Sequence, residues 1–156
     1  MDTRQIDDIL RSRCKLYRGT FALDQLLEFN FDRDSANGSS ADSLMIVNTE
    51  KSNHPGTHWQ GIQLGGDGRG FFFDSFGRRP TSAIERFMNK HCKNGWDYNE
   101  HQIQSVLSDY CAPFCIQFCL YMCKYNNDFS KMLRLYTNDT MLNNRIVHTF
   151  MKSIAA

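Results

Sequence analysis

No stretch of about 18 uninterrupted apolar residues occurs in the chain, and the N-terminal Met1-Asp-Thr-Arg-Gln has no apolar run of the kind a secretion signal carries. The expectation is a protein made and used inside a cell, in the nucleus or cytoplasm of a host or in a particle assembled there, with no membrane partner. No run of five basic residues is present either, and a formal net charge of +1 supplies no electrostatic drive toward nucleic acid or a membrane surface. Internal repeats, low-complexity segments and linkers are absent, so the 156 residues are expected to form one domain, 1–156. What is present is 41% hydrophobic and 22% charged residues, the balance of a globular chain with a real core.

Six cysteines stand at Cys14, Cys92, Cys111, Cys115, Cys119 and Cys123. In a chain without a secretion signal they are expected to be reduced thiols. The last four recur every four residues along one expected helix, which spreads them over roughly 18 Å at ~1.5 Å per residue. Zinc–thiolate bonds of ~2.3 Å exclude a shared metal, and no metal or other cofactor is expected. Cys115, Cys119 and Cys123 read as small core residues on one helix face. Cys111 differs because it opens the helix, where backbone N–H groups and the macrodipole favour a thiolate.

Coarse patterning places strands in the middle and helices at both ends. Thr3 can cap a helix from Arg4 to about Arg11, suited to docking, and residues 31–42 are a loop with a turn at Asn37-Gly38. Ser43 to Asn48 reads as a buried strand, and His58 to Leu64 and Gly70 to Phe76 as a hairpin across Gly65-Gly-Asp-Gly-Arg69. The loop before His58 carries Pro55 and Gly56. A turn centred near Gly66 or Asp67 brings Asp74 opposite His58 or about two residues from it on the same face; half a residue further points them apart. Pro80 suits a helix start, with Ile84, Phe87 and Met88 as its apolar stripe to about Lys93, and Trp96 to Glu100 begins another strand. Helices over Cys111 to Tyr125, Asp128 to Leu135 and Asp139 to Ser153 complete an α+β chain with a central mixed sheet and flanking helices.

A cysteine hydrolase needs a thiol, a base, a group that orients the base, and donors for an oxyanion. Each has a candidate with a plainer alternative. Cys111 is the thiol or a fourth buried cysteine of the stripe, and Pro113 in the first turn is compatible with helix initiation. His58 is the base or a structural histidine; His54, His91, His101 and His148 lack both an aromatic neighbour and a strand start. Trp59 is a cleft wall or a core residue. Asp74, among Phe72, Phe73 and Phe76, needs a partner to offset desolvation, either His58 or backbone N–H groups. Gln104, seven residues before Cys111, is an oxyanion donor or a solvated loop residue.

The order His, Asp, Gln, Cys differs from that of papain-type enzymes. It resembles the adenovirus protease (adenain) family and the wider group of ubiquitin-like-protein-specific and viral proteases of that fold. The matching stretches are Leu44-Met-Ile-Val-Asn-Thr49, Gly56-Thr-His-Trp59, Phe73-Asp-Ser-Phe-Gly77 and Gln104 through Cys115, with Tyr17-Arg-Gly-Thr20 near the start. The C-terminal Asp128-Phe-Ser-Lys-Met-Leu133 is similar to proteases of polinton-type and adintovirus-like elements. The resemblance implies Cys111 as nucleophile, His58 as base, Asp74 as orienter, Gln104 as oxyanion donor and Trp59 beside the substrate. It implies a viral cysteine endopeptidase that processes structural-protein precursors near Gly during virion maturation, the alternative being an isopeptidase acting on ubiquitin-like modifiers. Two departures are Ala112 where the family commonly has Gly, and Asp74 where the adenovirus enzyme has Glu. The activating peptide and DNA of adenain are not carried over, since Cys92 does not align with the peptide's cysteine partner and the charge is near neutral.

Overall fold

The computed structural model describes residues 1–29, 42–52 and 58–156. Among them the elements run α1 (Thr3–Arg11), β1 (Tyr17–Phe21), α2 (Leu23–Glu28), β2 (Ser43–Asn48), β3 (Trp59–Leu64), β4 (Gly70–Phe73), α3 (Ser82–His91), β5 (Trp96–Tyr98), α4 (Cys111–Lys124), α5 (Phe129–Leu133) and α6 (Thr140–Ala155). The strands form one mixed sheet in the order β1-β2-β3-β4-β5. The outer pairs, β1 with β2 and β4 with β5, are parallel, and the inner pairs are antiparallel. This is the α+β architecture the patterning predicts.

All six residues of β2 are buried because helices cover both faces of the sheet. Alternation divides its side chains: Leu44 and Ile46 join Ile6 and Leu10 of α1 and Phe114, Phe118 and Met122 of α4. Met45 and Val47 face Ile84, Phe87 and Met88 of α3 on the other side. The helix α4 buries residues around its whole circumference, from Ala112 through Cys119 to Met122, as a helix through a core must. It lies close against β3 at Gly61, where an added Cβ would come within 2.5 Å of the Phe118 ring. That contact sets the height of α4, and therefore of Cys111, over the sheet.

The hairpin register pairs Gly61 with Phe73 and Leu64 with Gly70, which centres the turn on Asp67. Continued one step, it sets Asp74 opposite Gln60, two residues from His58 and on the same face, one of the alternatives the spacing allows.

Several expectations are corrected. Asp2, not Thr3, caps α1, through a reciprocal pair of 2.9 Å bonds with Gln5. The helix α3 begins at Ser82, after a Thr81 cap, so Pro80 precedes it. Neither β1 nor α2 is marked by the sequence pattern; each is short, and β1 exists as a strand through its parallel pairing with β2. The cysteines are not all free: Cys14, just after α1, and Cys123, near the end of α4, form a disulfide across 109 residues. Packing of α1 on α4 brings their Cα atoms to 6.1 Å, within bridging range, a proximity sequence spacing does not encode. Asp128 and Asp139 cap α5 and α6. The turn expected at Asn37-Gly38 and the loop at Pro55 and Gly56 lie outside the described residues.

Candidate active site

Just beyond β4, the chain turns sharply over Asp74 to Gly77, with the Gly77 N–H donating to the Asp74 carbonyl at 2.8 Å. Gly77 has a φ of +73°, and a Cβ there would lie 2.6 Å from the His101 backbone, so only glycine lets the turn nest against the loop after β5. That loop grips the turn in return. Asn99 accepts from the Asp74 N–H at 2.9 Å and donates to its carbonyl at 2.5 Å, and the Ser75 carbonyl accepts from the N–H groups of Ile103 and Gln104.

The Asp74 carboxylate is fully buried and accepts from every side. One oxygen, Oδ1, takes His58 Nε2 at 3.1 Å and the Phe76 N–H at 2.8 Å, and the other takes Gln60 Nε2 at 2.9 Å. Burial pushes its pKa up, but these donors and the His58 charge outweigh burial and hold the carboxyl below the usual range. His58 stands at the entry to β3, its ring stacked on Phe76 with centroids 5.1 Å apart. With Nε2 engaged by Asp74, Nδ1 is left for the thiol. Burial alone would lower the His58 pKa; hydrogen bonds and charge from Asp74 and Cys111 raise it instead to about 9.

Cys111 is the first residue of α4, and no side chain caps that helix end. Its thiol pKa is pushed up by burial but lowered overall by the hydrogen bond with His58, the N–H groups of Trp59 and Ala112, and the imidazolium charge. The other free cysteines behave oppositely. Burial lifts Cys92 to about 11 and drives Cys115 and Cys119 well above an ordinary thiol, so of the four free cysteines Cys111 is the one whose thiolate the surroundings favour. Ala112 is accommodated because it keeps negative φ; the non-glycine residues with positive φ among those described are Asn126 and Asn127.

Gln104 is fully buried rather than solvated. Its Oε1 accepts from Ser75 Oγ at 2.5 Å, and its Nε2 donates one hydrogen to the Ser108 carbonyl at 2.7 Å, three residues before Cys111. Trp59 is half-buried and lines a cavity of about 380 Å³ together with Asp2, Gln25, Asn48, Glu50 and Ser52. The Asn48 side chain is buried there; Oδ1 accepts from the Glu50 N–H at 2.9 Å, and Nδ2 has no partner among the described residues. No group of three metal-ligating side chains occurs among the described residues. Sequence reasoning missed Gln60, Ser75, Asn99 and Asn48. Gln60 was reachable, since period two places it on the His58 face, whereas Asn99 depends on the fold of a loop.

The fold is of the ubiquitin-like-protease type. Among solved structures the chain is similar to the ASFV pS273R protease, with a TM-score of 0.65 at 13% identity over 94% of this chain and 66% of that one. Against the selenomethionine crystal structure of the same protease the TM-score is 0.50 at 17% identity, covering 69% of this chain and 43% of that one. It is also similar to the central domain of the uncharacterized Lpg1148 protein from Legionella pneumophila, with a TM-score of 0.60 at 12% identity, covering 99% and 96%. The chain therefore spans less than two thirds of either ASFV protease chain. No protein-family model and no curated protein matches it.

Proposed function

We propose that the chain is a viral cysteine endopeptidase that cleaves structural-protein precursors near Gly during virion maturation, in the infected cell or the new particle. The observation that carries the reading is Cys111, whose thiol pKa is lowered beside a His58 held at 3.1 Å by a buried Asp74. The Cys111 thiolate attacks the scissile carbonyl carbon, and the charge that develops on the carbonyl oxygen is met by the Gln104 side-chain N–H and the Cys111 backbone N–H at the α4 terminus. Collapse breaks the C–N bond as the His58 imidazolium gives its proton to the departing amine, leaving a thioacyl-enzyme. A water, deprotonated by the now neutral His58, then attacks the thioester and restores the thiolate. Trp59 walls the cleft and lines the adjoining cavity of about 380 Å³. The small residue at the scissile bond follows from a narrow cleft, by resemblance to the adenain group.

The test pairs a quenched-fluorescent peptide carrying Gly at the scissile bond with a ubiquitin-like modifier fused through an isopeptide bond. Faster turnover of the peptide or of a capsid-precursor segment supports the endopeptidase reading. Preference for the modifier assigns the chain to deconjugation instead, and no turnover of either, with Cys111 unreactive to a peptide aldehyde, removes the enzymatic reading.

A further inference from the structure

An oxyanion donor made from a glutamine side chain has a weakness that a backbone N–H lacks. The two ends of the amide are nearly the same size, and turning it over replaces the donor with an acceptor that repels the developing charge. In this chain the Gln104 amide is held at both ends. Its Nε2 donates to the Ser108 carbonyl at 2.7 Å and its Oε1 accepts from Ser75 Oγ at 2.5 Å, with both side chains fully excluded from solvent. Because a carbonyl oxygen only accepts, the Ser75 hydroxyl must be the donor. The Ser75 carbonyl also accepts from the Gln104 backbone N–H at 2.8 Å, so one residue fixes both the main chain and the side chain of Gln104.

We infer that Ser75 is a positioning residue for the oxyanion donor: its hydroxyl locks the Gln104 amide with one Nε2 hydrogen on Ser108 and the second left for the oxyanion. The inference rests on the proposed cysteine-protease reading and deepens it. The hydroxyl also polarises the amide, since a hydrogen bond accepted at the carbonyl end makes the N–H a stronger donor at the other. Ser75 sits next to Asp74 in one turn, so the group that orients the base and the group that orients the oxyanion donor are consecutive residues. Displacement of this turn would disturb both halves of the site together.

The experiment is a double-mutant cycle in kcat and KM on the Gly-containing peptide, with each preparation's active sites counted by a Cys111-directed peptide alkylator. Ser75→Ala removes the hydroxyl with almost no change in volume and should lower kcat about tenfold, the size of one net hydrogen bond, with KM unchanged. Ser75→Cys, a weaker donor of similar size, should fall between Ser75→Ala and wild type. In a Gln104→Ala background Ser75→Ala should have no further effect, because the group it positions is gone. An equal loss from Ser75→Ala in both backgrounds overturns the positioning role and leaves the protease reading standing. A Gln104→Ala enzyme with wild-type kcat overturns the oxyanion role itself and takes the role of Ser75 with it.

Discussion

Asp74→Asn separates the charge of the carboxylate from its shape. Among the described residues Oδ1 receives both His58 Nε2 and the Phe76 N–H, while Oδ2 receives Gln60 Nε2 alone. The new amide nitrogen therefore settles on the Gln60 side, where Gln60 turns over and accepts with its Oε1, an atom with no partner among the described residues. His58 keeps its acceptor and its tautomer, and only the negative charge is lost. Burial opposes a charged His58, yet hydrogen bonds and charge from Asp74 and Cys111 raise its pKa from 6.5 to about 9. With the charge gone and the hydrogen bond kept, the variant should lose on the order of tenfold in kcat/KM at neutral pH, the equivalent of about one pKa unit. The pH dependence carries the sign. Above about 9 the wild-type ring deprotonates and can no longer protonate the leaving amine, so kcat/KM falls on that limb. Without the charge the ring deprotonates earlier, and the alkaline limb should move toward neutrality by about one pH unit. Full profiles of both proteins on the Gly-containing peptide check this. An Asp74→Asn enzyme with wild-type rate and an unmoved alkaline limb would refute the pairing of Asp74 with His58 as the source of the raised pKa.

Cys111→Ala should abolish cleavage in a folded protein while Cys115→Ala keeps it, since the Cys115 thiol is buried and held protonated; equal turnover by the two variants reassigns the nucleophile. Gln104→Ala should reduce kcat by ~10²- to 10³-fold with little change in KM, because its donor acts on charge present only in the transition state. A KM effect with kcat intact would place Gln104 in substrate binding. Gly61→Ala should destabilise the fold by ~1–3 kcal/mol, because the new methyl meets the Phe118 ring at 2.5 Å inside a filled core. Denaturant unfolding reads that loss, and a wild-type midpoint would mean that α4 can shift outward at no cost.

The sequence by itself determined the elements whose patterning is long and local. The run Ser43 to Asn48 has no polar alternation and reads as a buried strand, and Cys111 to Tyr125 reads as a helix with its cysteine stripe on one face. Chain order and spacing offered His58, Asp74, Gln104 and Cys111 as candidates, each with a plainer alternative, and the resemblance to the adenain group joined them into one set. The tertiary structure decided what depends on register and on contacts between distant segments. Half a residue in the hairpin separates a paired from an unpaired Asp74, and the turn at Asp67 chose the paired one. The Asn99 clamp, the Ser75 contact to Gln104 and the Cys14–Cys123 disulfide each join residues 25 to 109 positions apart, which no local pattern encodes. The same packing set the ionisation of the four free cysteines apart. Burial lifts three of them out of reach of neutral pH, and only Cys111 has an imidazolium and a helix end to hold its charge.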